Sequence, residues 1–260
     1  MAGAAFMGEP RRGELSRGAS TRATESFAVR AEPDEPPQSP PVTRAQVDEA
    51  VRQAQAAQHA WAAMPPYFRL ASLRRFPLLL RSFRVTVAAA LQGVLTQEAA
   101  LERVDQLARD CKQVTQHGLK SLRPVKHRSG VRVRAVQRRL PLGLVAVFPC
   151  PETGPNPATA VAALLAGNGL LLLADADRSQ SAVLLAQLCD AARLPRDLVQ
   201  VVSGPAELID ASVAQADSLV VPPGSERGQE LLRLASQLGV PTTSDGCIDP
   251  AEFTALDGQG

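Results

Sequence analysis

The sequence predicts an α/β protein with a Rossmann-like, doubly wound parallel sheet. The first observation is the segment 138–173, in which two continuous apolar runs flank an Ala/Leu-rich stretch. The runs 142–148 and 169–173 are short and apolar throughout, which is typical of strands buried on both faces. Two such strands joined by a helix form a right-handed parallel βαβ unit. The second observation is that strand-like and helix-like runs keep alternating as far as residue 244, which predicts one sheet with helices on both faces.

Each strand of this sheet is predicted from a short apolar run, and each helix from helical spacing or a cap. Gly167 and Asn168 predict the end of the first helix, and Ser225 is the expected N-cap of the last. The predicted strands are 142–148, 169–173, 198–202, 218–221 and 240–244. The predicted helices are 158–166, 178–193, 206–215 and 226–238.

A helical layer is predicted ahead of the sheet, over residues 43–119. Thr43 and Gln46 match a capping box that opens the first helix, and apolar residues recur at helical spacing up to Trp61. Pro77 predicts a kink or break within the second helix. The further helices predicted in this layer are 67–83, 85–96 and 99–117.

Composition indicates a soluble globular protein. The chain has 260 residues, a formal net charge of +2, 45% hydrophobic and 21% charged residues. We expect no membrane contact, because no apolar run approaches the roughly 18 residues that a membrane span needs. The N-terminus lacks the apolar core of a signal peptide. The four cysteines form no C-x-x-C pair, which favours reduced thiols and a cytoplasmic location.

Residues 1–42 are predicted to form a disordered tail, because they are rich in Gly, Ser, Pro, Arg and Glu and lack periodic apolar residues. The Pro-rich acidic run 32–41 is interpreted as a solvated linker, with a docking tail for a Pro-binding module as the alternative. One domain is predicted over 43–250, and 251–260 is predicted to be a short tail. Within the domain we expect the helical layer at 43–119, a strand arm at 124–140 and the α/β sheet at 141–250.

Several segments resemble the aldehyde dehydrogenase superfamily. PLGLVAVFP at 141–149 and ALLAGNGLLLL at 163–173 are similar to its patterns P-x-G-V-V-x-x-I-x-P-W-N and P-A-L-A-x-G-N-x-V-V-x-K-P. Residues 194–204 resemble its L-P-x-x-L-V-x-V-V-x-G block, and 222–228 its F-T-G-S-x-x-x-G loop, one residue short. Its N-terminal helical pattern is matched by Ala50, Val51, Ala54, Ala57, Trp61, Arg69 and Leu73.

The resemblance covers roughly residues 44–250 and is greatest to the truncated C-terminal module of the aldehyde dehydrogenase 16 family. Vertebrate members of that family are regarded as non-catalytic. The resemblance implies a cofactor-binding fold without the catalytic domain. It also implies that an apolar sheet face is left uncovered, and such surfaces usually mark interaction sites.

The resemblance implies chemistry that this sequence does not supply. Aldehyde dehydrogenases need a thiolate nucleophile, an oxyanion donor, a general base and NAD(P). The oxyanion Asn has no counterpart at 148–152, and the Lys that contacts the adenosine ribose corresponds to Leu173. The base corresponds approximately to Asp245. The nucleophile would lie beyond Gly260, and Cys247 is too early to replace it. We therefore expect no catalytic and no metal-binding residues.

Gly224 and Ser225 are the one candidate cofactor-binding pair. They stand at a predicted helix N-terminus, where free backbone N–H groups can hold a phosphate. The alternative is an ordinary capped turn. No cofactor is expected, with NAD or NADP binding as the alternative. Cys150, in a loop at the end of a predicted strand, is interpreted as an inert thiol because no histidine is near it in the sequence.

The basic segment 112–139 holds nine Lys/Arg residues and no acid, and 130–136 alternates as a half-exposed strand does. In the family this place is a strand of the oligomerisation arm. We therefore expect self-association or a protein partner through strand 130–136 and the uncovered sheet face. A bare solvated strand is the alternative. Nucleic acid is not expected, because no aromatic residues are interleaved to stack on bases.

Three functions remain in view at this stage. The first is a non-catalytic, pseudoenzyme-like module that acts by protein association. The second is a fragment of an NAD(P)-dependent oxidoreductase acting on the aldehyde or oxo group of donors. The third is a nucleotide-binding module.

Overall fold

The computed structural model describes residues 43–91, 95–129, 132–150, 154–175 and 179–257; the tail predicted for 1–42 lies outside the described residues. The helices are α1 (Arg44–Ala63), α2 (Pro66–Leu73), α3 (Phe76–Ser82), α4 (Arg84–Ala90), α5 (Gln97–Ser121), α6 (Pro157–Ala166), α7 (Gln180–Ala191), α8 (Ala206–Val213) and α9 (Glu226–Leu238). The strands are β1 (Val125–Ser129), β2 (Arg132–Gln137), β3 (Arg139–Pro141), β4 (Leu144–Val147), β5 (Gly169–Ala174), β6 (Val199–Ser203), β7 (Ser218–Val221), β8 (Thr242–Ser244) and β9 (Thr254–Leu256).

Five parallel strands form the central sheet in the order β6-β5-β4-β7-β8. Strand β4 is central. The chain moves outward from it through β5 to β6, and then returns to its other side for β7 and β8. The predicted Rossmann-like, doubly wound parallel sheet is therefore confirmed.

Alternate residues of the central strands enter different cores, which explains why β4 and β5 are apolar at every position. Val145 and Val147 pack into the larger core with α2 to α7. Leu144, Ala146 and Phe148 pack into the smaller core with α1, α8 and α9. Both faces of the sheet are thus covered at β4, β5 and β7, where every residue is buried. The uncovered sheet face expected from the sequence is not found over these strands, whereas Thr242 and Ser244 of the edge strand β8 are exposed.

The helical layer is divided between the two faces, which differs from the single layer predicted over 43–119. Helix α1 packs with α8 against one face of the sheet, whereas α2 to α5 pack outside α6 and α7 on the other. The break predicted at Pro77 falls at Arg74 and Arg75 instead, because Pro77 occupies the first turn of α3, where proline is tolerated.

The end of the described chain is folded, whereas the sequence predicted a tail over 251–260. Pro250–Phe253 form a 3-10 helix that begins at the N-cap Asp249. Strand β9 then pairs antiparallel with β3. The physical reason is Phe253, whose side chain is fully buried in the larger core and anchors an otherwise polar segment.

Strands β1 and β2 form a two-stranded antiparallel hairpin. The strand predicted at 130–136 corresponds to β2, although residues 130 and 131 lie outside the described residues. No other described strand pairs with either outer edge of this hairpin. No helix in the described part of the chain is long and apolar enough to cross a membrane.

The buried C-terminus of α6 is held by side chains from α1. An α-helix leaves its last four carbonyl groups without intrahelical partners. Trp61 Nε1 donates to the carbonyl of Leu164 at 2.7 Å, and Gln58 Nε2 donates to that of Gly167 at 3.1 Å. Gly167 has φ +108°, the left-handed conformation that ends many helices and that glycine adopts without strain.

Arg69 of α2 completes the arrangement. It donates to the carbonyls of Leu165 and Ala166 at 3.0 and 3.2 Å, and to those of Ala62 and Met64 at 3.1 and 2.6 Å. The side chain is buried, and this burial lowers the pKa of Arg69 to about 10. One guanidinium group therefore joins the ends of α1 and α6. This structural role explains why an Arg stands at this position of the family pattern.

Asn168 joins the sheet to the end of the described chain. Its Oδ1 accepts from the Gly143 N–H at 2.9 Å, and its Nδ2 donates to the carbonyls of Ala163 and Phe253, each at 3.0 Å. All the polar atoms of this fully buried amide are used, which removes the penalty of burying it. The Gly-Asn pair is thus a structural device.

We expect Arg69→Met to lower the free energy of unfolding by more than about 3 kcal/mol, because four carbonyls lose a charged donor. Arg69→Lys should fall between Met and the wild type, since an ammonium lacks the fork of donors. Urea denaturation followed by circular dichroism measures both. Arg52→Met, at an exposed arginine of α1, is the control and should cost less than about 0.5 kcal/mol. A loss below about 1 kcal/mol for Arg69→Met would contradict the account.

Candidate functional site

In doubly wound sheets, ligands bind outside the carboxyl ends of the strands. Three of the residues singled out in the sequence lie at this edge. Cys150 follows β4, Ser225 follows β7, and Asp245 follows β8. The structure therefore places the candidate positions at the edge where a dinucleotide would bind.

In the Gly224–Ser225 turn, the capping hydroxyl is already hydrogen-bonded within the turn. Gly224 has φ +86°, and nothing lies within 4 Å of where its Cβ would stand. Ser225 is the N-cap of α9, and its Oγ accepts the Gly228 N–H at 3.0 Å. Glu226 places a carboxylate in the first turn, where it already interacts favourably with the helix dipole. A phosphate would compete with these local groups for the same helix end.

Gly228 explains why the loop is closed so tightly. A Cβ at this position would lie 2.3 Å from Ser225 Oγ and 2.7 Å from Val221 Cγ1. Only glycine fits between the cap and the end of β7. The matched Gly of the family loop is therefore kept here by the packing of the turn, whether or not a ligand binds.

Arg227 is the cation closest in sequence to this turn, and it is already paired. It donates to Asp210 Oδ1 at 2.6 Å and to the Ala206 carbonyl at 3.2 Å, both in α8, and to Glu230 Oε2 at 2.8 Å. Burial alone lowers the pKa of Arg227, but the bonds and charges of Glu230 and Asp210 outweigh it and raise the pKa. The side chain holds α8 to α9 and leaves its charge neutralised.

Leu173, which the sequence resemblance aligns with the ribose-contacting Lys, is fully buried. It packs in the smaller core with residues of β6 and α8, among them Val202, Ile209 and Val213. Its side chain fills space between the sheet and a helix. It has no polar atom to offer a ribose hydroxyl.

Asp245 is half-buried beside the first turn of α6. Burial raises the pKa of this carboxyl, and a hydrogen bond from Thr159, one from the Gly246 N–H, and the charge of Arg103 oppose the rise only in part. The Gly246 N–H also donates to Thr159 Oγ1 at 3.0 Å. Asp245 is therefore held in a network that fixes the turn after β8.

The asparagine and the thiols take no part in a shared site. Asn156 Oδ1 caps α6 by accepting the Ala158 N–H at 2.9 Å. Burial raises the pKa of the Cys111 and Cys189 thiols. Burial also raises the pKa of the half-buried Cys247. A raised thiol pKa suppresses the nucleophilic thiolate at neutral pH.

No described residue donates a hydrogen bond to the Cys150 thiol or accepts one from it. Over the same described residues, no cluster of three His, Cys, Asp or Glu side chains could hold a metal ion. The described residues at the carboxyl edge of the sheet thus form turns and structural hydrogen bonds.

The fold and this edge define a class, a doubly wound α/β domain of the dinucleotide-binding type. The aldehyde dehydrogenase family model matches residues 33–238, and the chain belongs to that family. The resemblance to the aldehyde dehydrogenase superfamily is therefore confirmed, and the resemblance to the aldehyde dehydrogenase 16 family stays a prediction.

Curated relatives include a putative succinate-semialdehyde dehydrogenase [NADP(+)] of Mycolicibacterium smegmatis. It is 29% identical over 215 residues, which cover 76% of this chain and 41% of the relative. Putative succinate-semialdehyde dehydrogenase [NADP(+)] 2 of Mycobacterium tuberculosis is 28% identical over 205 residues, which cover 75% of this chain and 39% of the relative. The chain thus spans about two fifths of the length of these relatives.

Solved structures agree on the fold. The NAD+ complex of an aldehyde dehydrogenase from Bacillus cereus superposes with a TM-score of 0.67 at 19% identity, covering 78% of this chain and 43% of that one. Glyceraldehyde-3-phosphate dehydrogenase GapN from Methanocaldococcus jannaschii, complexed with NADP, gives 0.67 at 18% identity, covering 79% and 47%.

Sequence reasoning missed Arg227 and Thr159, whose partners lie on other elements. Arg227 contacts residues 17 and 21 positions away, and Thr159 contacts Gly246 across 87 positions. The available signal for Arg227 was its place in the first turn of a capped helix, where a cation is unfavourable unless it is paired.

We expect Asp245→Asn to raise the unfolding temperature at pH 7 by up to about 4 °C. Because the folded-state pKa is raised, ionised Asp245 destabilises the fold above that pKa, and the penalty disappears as the pH falls through it. The advantage should therefore vanish below the ordinary pKa of 3.8. Thermal unfolding across this pH range is the measurement. Asp190→Asn, at an exposed carboxyl of α7, controls for net charge, and equal unfolding temperatures at pH 7 would refute the assignment.

Proposed function

We propose that this chain is an aldehyde dehydrogenase-like module that is catalytically inactive and acts by associating with another protein chain. One observation carries the proposal. Positions that build the fold keep the family residues and make buried contacts, whereas the ribose-binding position is an apolar core residue, Leu173.

Three residues that match the family's sequence patterns have a structural role here: Trp61, Arg69 and Asn168. Each donates hydrogen bonds to carbonyls at the end of α6, at distances of 2.7 to 3.2 Å. These contacts are needed for any function that requires the folded domain. Their presence supports a protein that works as a folded domain.

The replaced half lies at the carboxyl edge of the sheet. Ser225 is engaged as a helix cap, Arg227 is paired with carboxylates, and Asp245 is tied to Thr159. Two of the four thiols are deeply buried with raised pKa values, and that of Cys247 is raised as well. Together these features support a module without turnover and without a cofactor.

Association is supported by the hairpin of β1 and β2. Both of its outer edges lack a partner among the described strands, and unpaired edges are templates for pairing with another chain. Val136 of β2 and Leu140, in the strand β3 that follows the hairpin in the chain, are large apolar residues that remain exposed. We propose that a second copy of the chain covers them.

We expect the chain to be a dimer or larger at tens of micromolar in multi-angle light scattering. The double variant Val136→Asp/Leu140→Asp should shift it towards monomer, because charges at the proposed contact oppose burial. Val183→Asp, at an exposed apolar residue of α7, is the matched control and should leave the mass unchanged. A monomeric wild-type chain at that concentration would refute self-association through the hairpin.

The alternative functions are a nucleotide-binding module and a fragment of an NAD(P)-dependent oxidoreductase acting on the aldehyde or oxo group of donors. The fold favours them, because neighbours of the same fold were solved with NAD+ and NADP. We also propose a cytoplasmic location, in keeping with four free cysteines.

Calorimetric titration separates nucleotide binding from the main proposal. We expect no measurable heat with NAD or NADP at roughly millimolar ligand, because a dinucleotide that lacks its ribose contact loses several kilocalories per mole of affinity. Ser225→Ala should then change stability alone. Saturable heat that Ser225→Ala abolishes would favour the nucleotide-binding alternative.

A further inference from the structure

The outward surface of α2 to α4, called here the α2–α4 face, exposes large apolar side chains in a short stretch of chain. Four such residues fall between positions 67 and 85, and the described residues expose only five others. They are Tyr67, Phe68, Leu78 and Val85, with exposed fractions of 59%, 47%, 63% and 70%. The opposite sides of the same helices are buried against α5, α6 and α7, so the fold does not need these four.

The aromatic pair on this face is stacked and lies next to a residue that is fixed in place. The rings of Tyr67 and Phe68 are stacked, with centroids 4.1 Å apart and planes inclined by 30°. The next residue is Arg69, which is fixed to the ends of α1 and α6 by four hydrogen bonds. An anchored pair loses little conformational entropy when a partner covers it.

The α2–α4 face is also cationic. Residues 66–90, which span α2 to α4, contain five arginines and no Asp or Glu. Arg74 and Arg75 are exposed between α2 and α3, and neither guanidinium group forms a hydrogen bond or ion pair with a described residue. Their charges are therefore available to a partner.

The other end of this stretch is already neutralised. Arg84 makes two hydrogen bonds, of 3.0 and 2.8 Å, to the carboxylate of Asp105 in α5. Glu98 and Glu102 line the same shallow depression. Arg81 of α3 is exposed as well, and its charge acts on the same Asp105. The positive charge without a nearby carboxylate therefore lies at Arg74 and Arg75.

We propose that the α2–α4 face docks an acidic segment of a partner protein that also carries apolar side chains. This rests on the proposed function, in which the module works by association, but it uses a different surface from the β1–β2 hairpin. Aromatic residues and arginine are enriched in the cores of protein interfaces, and lysine and acids are depleted. An anionic lipid surface is less well matched, because sequences that bind one usually cluster 4–8 basic residues.

The test uses a labelled amphipathic peptide of about 18 residues, with Leu and Phe on one helical face and Glu on the other. We expect the wild-type chain to bind it, by fluorescence anisotropy, at least about tenfold more tightly than the peptide with Lys in place of Glu. Arg74→Glu/Arg75→Glu and, separately, Phe68→Ala should each weaken binding about tenfold. Circular dichroism verifies that each variant is folded.

Leu232→Ala/Arg233→Glu, at exposed residues of the same kinds on α9, is the matched control and should leave peptide binding unchanged. Unchanged binding in the α2–α4 variants would overturn the proposal. Binding of vesicles of about 70% phosphatidylcholine and 30% phosphatidylserine, lost in those variants while the peptide fails to bind, would assign the face to lipid and also overturn it. If the wild-type chain does not bind the peptide and the α2–α4 variants lose the dimer, the face is covered by a second copy of the chain. That result would also overturn the proposal.

Discussion

The end of α6 is the constraint on which the rest of the structure depends. Its last carbonyls are buried, and a buried carbonyl without a donor costs about 1–3 kcal/mol. The donors are Gln58, Trp61 and Arg69, so satisfying one helix end fixes α1 and α2 in place. Burying the guanidinium is itself costly, as its lowered pKa indicates, and the four carbonyls compensate for that cost. The rigid base of the α2–α4 face follows from the same contacts.

Residues that hold the fold differ from residues that would bind a ligand in where their polar atoms find partners. A residue kept for the fold must have its polar atoms satisfied inside the domain, as Asn168 does with Gly143, Ala163 and Phe253. A residue kept for a ligand would point polar atoms towards open space at the carboxyl edge. There Leu173 is apolar and buried, and the capping oxygen of Ser225 is satisfied within its own turn. The family fold is thus present, and these contacts support the proposal of a module that acts by association.

Much of the fold could be predicted from the sequence, because strands such as β4 and β5 are buried on both faces and are therefore continuously apolar. The folding of residues 251–257 could not, since a polar segment anchored by Phe253 resembles a tail. The partners of Arg69 at the end of α6 could not be predicted either. They lie 96 and 97 positions away in the sequence, and only the tertiary fold brings them together. At the candidate site, the position of Ser225 as the N-cap of α9 could be predicted, but the bond from the Gly228 N–H to its hydroxyl oxygen could not.

The most direct test of the central claim is a turnover assay of these 260 residues with NAD or NADP and a panel of aldehydes, monitored by absorbance of the reduced nicotinamide. We expect the wild-type chain to reduce the nucleotide no faster than a Cys150→Ala/Cys247→Ala double variant or buffer alone. Reduction of the nucleotide by the wild-type chain that either cysteine substitution abolishes would show that the edge of the sheet is catalytic, and would contradict the account.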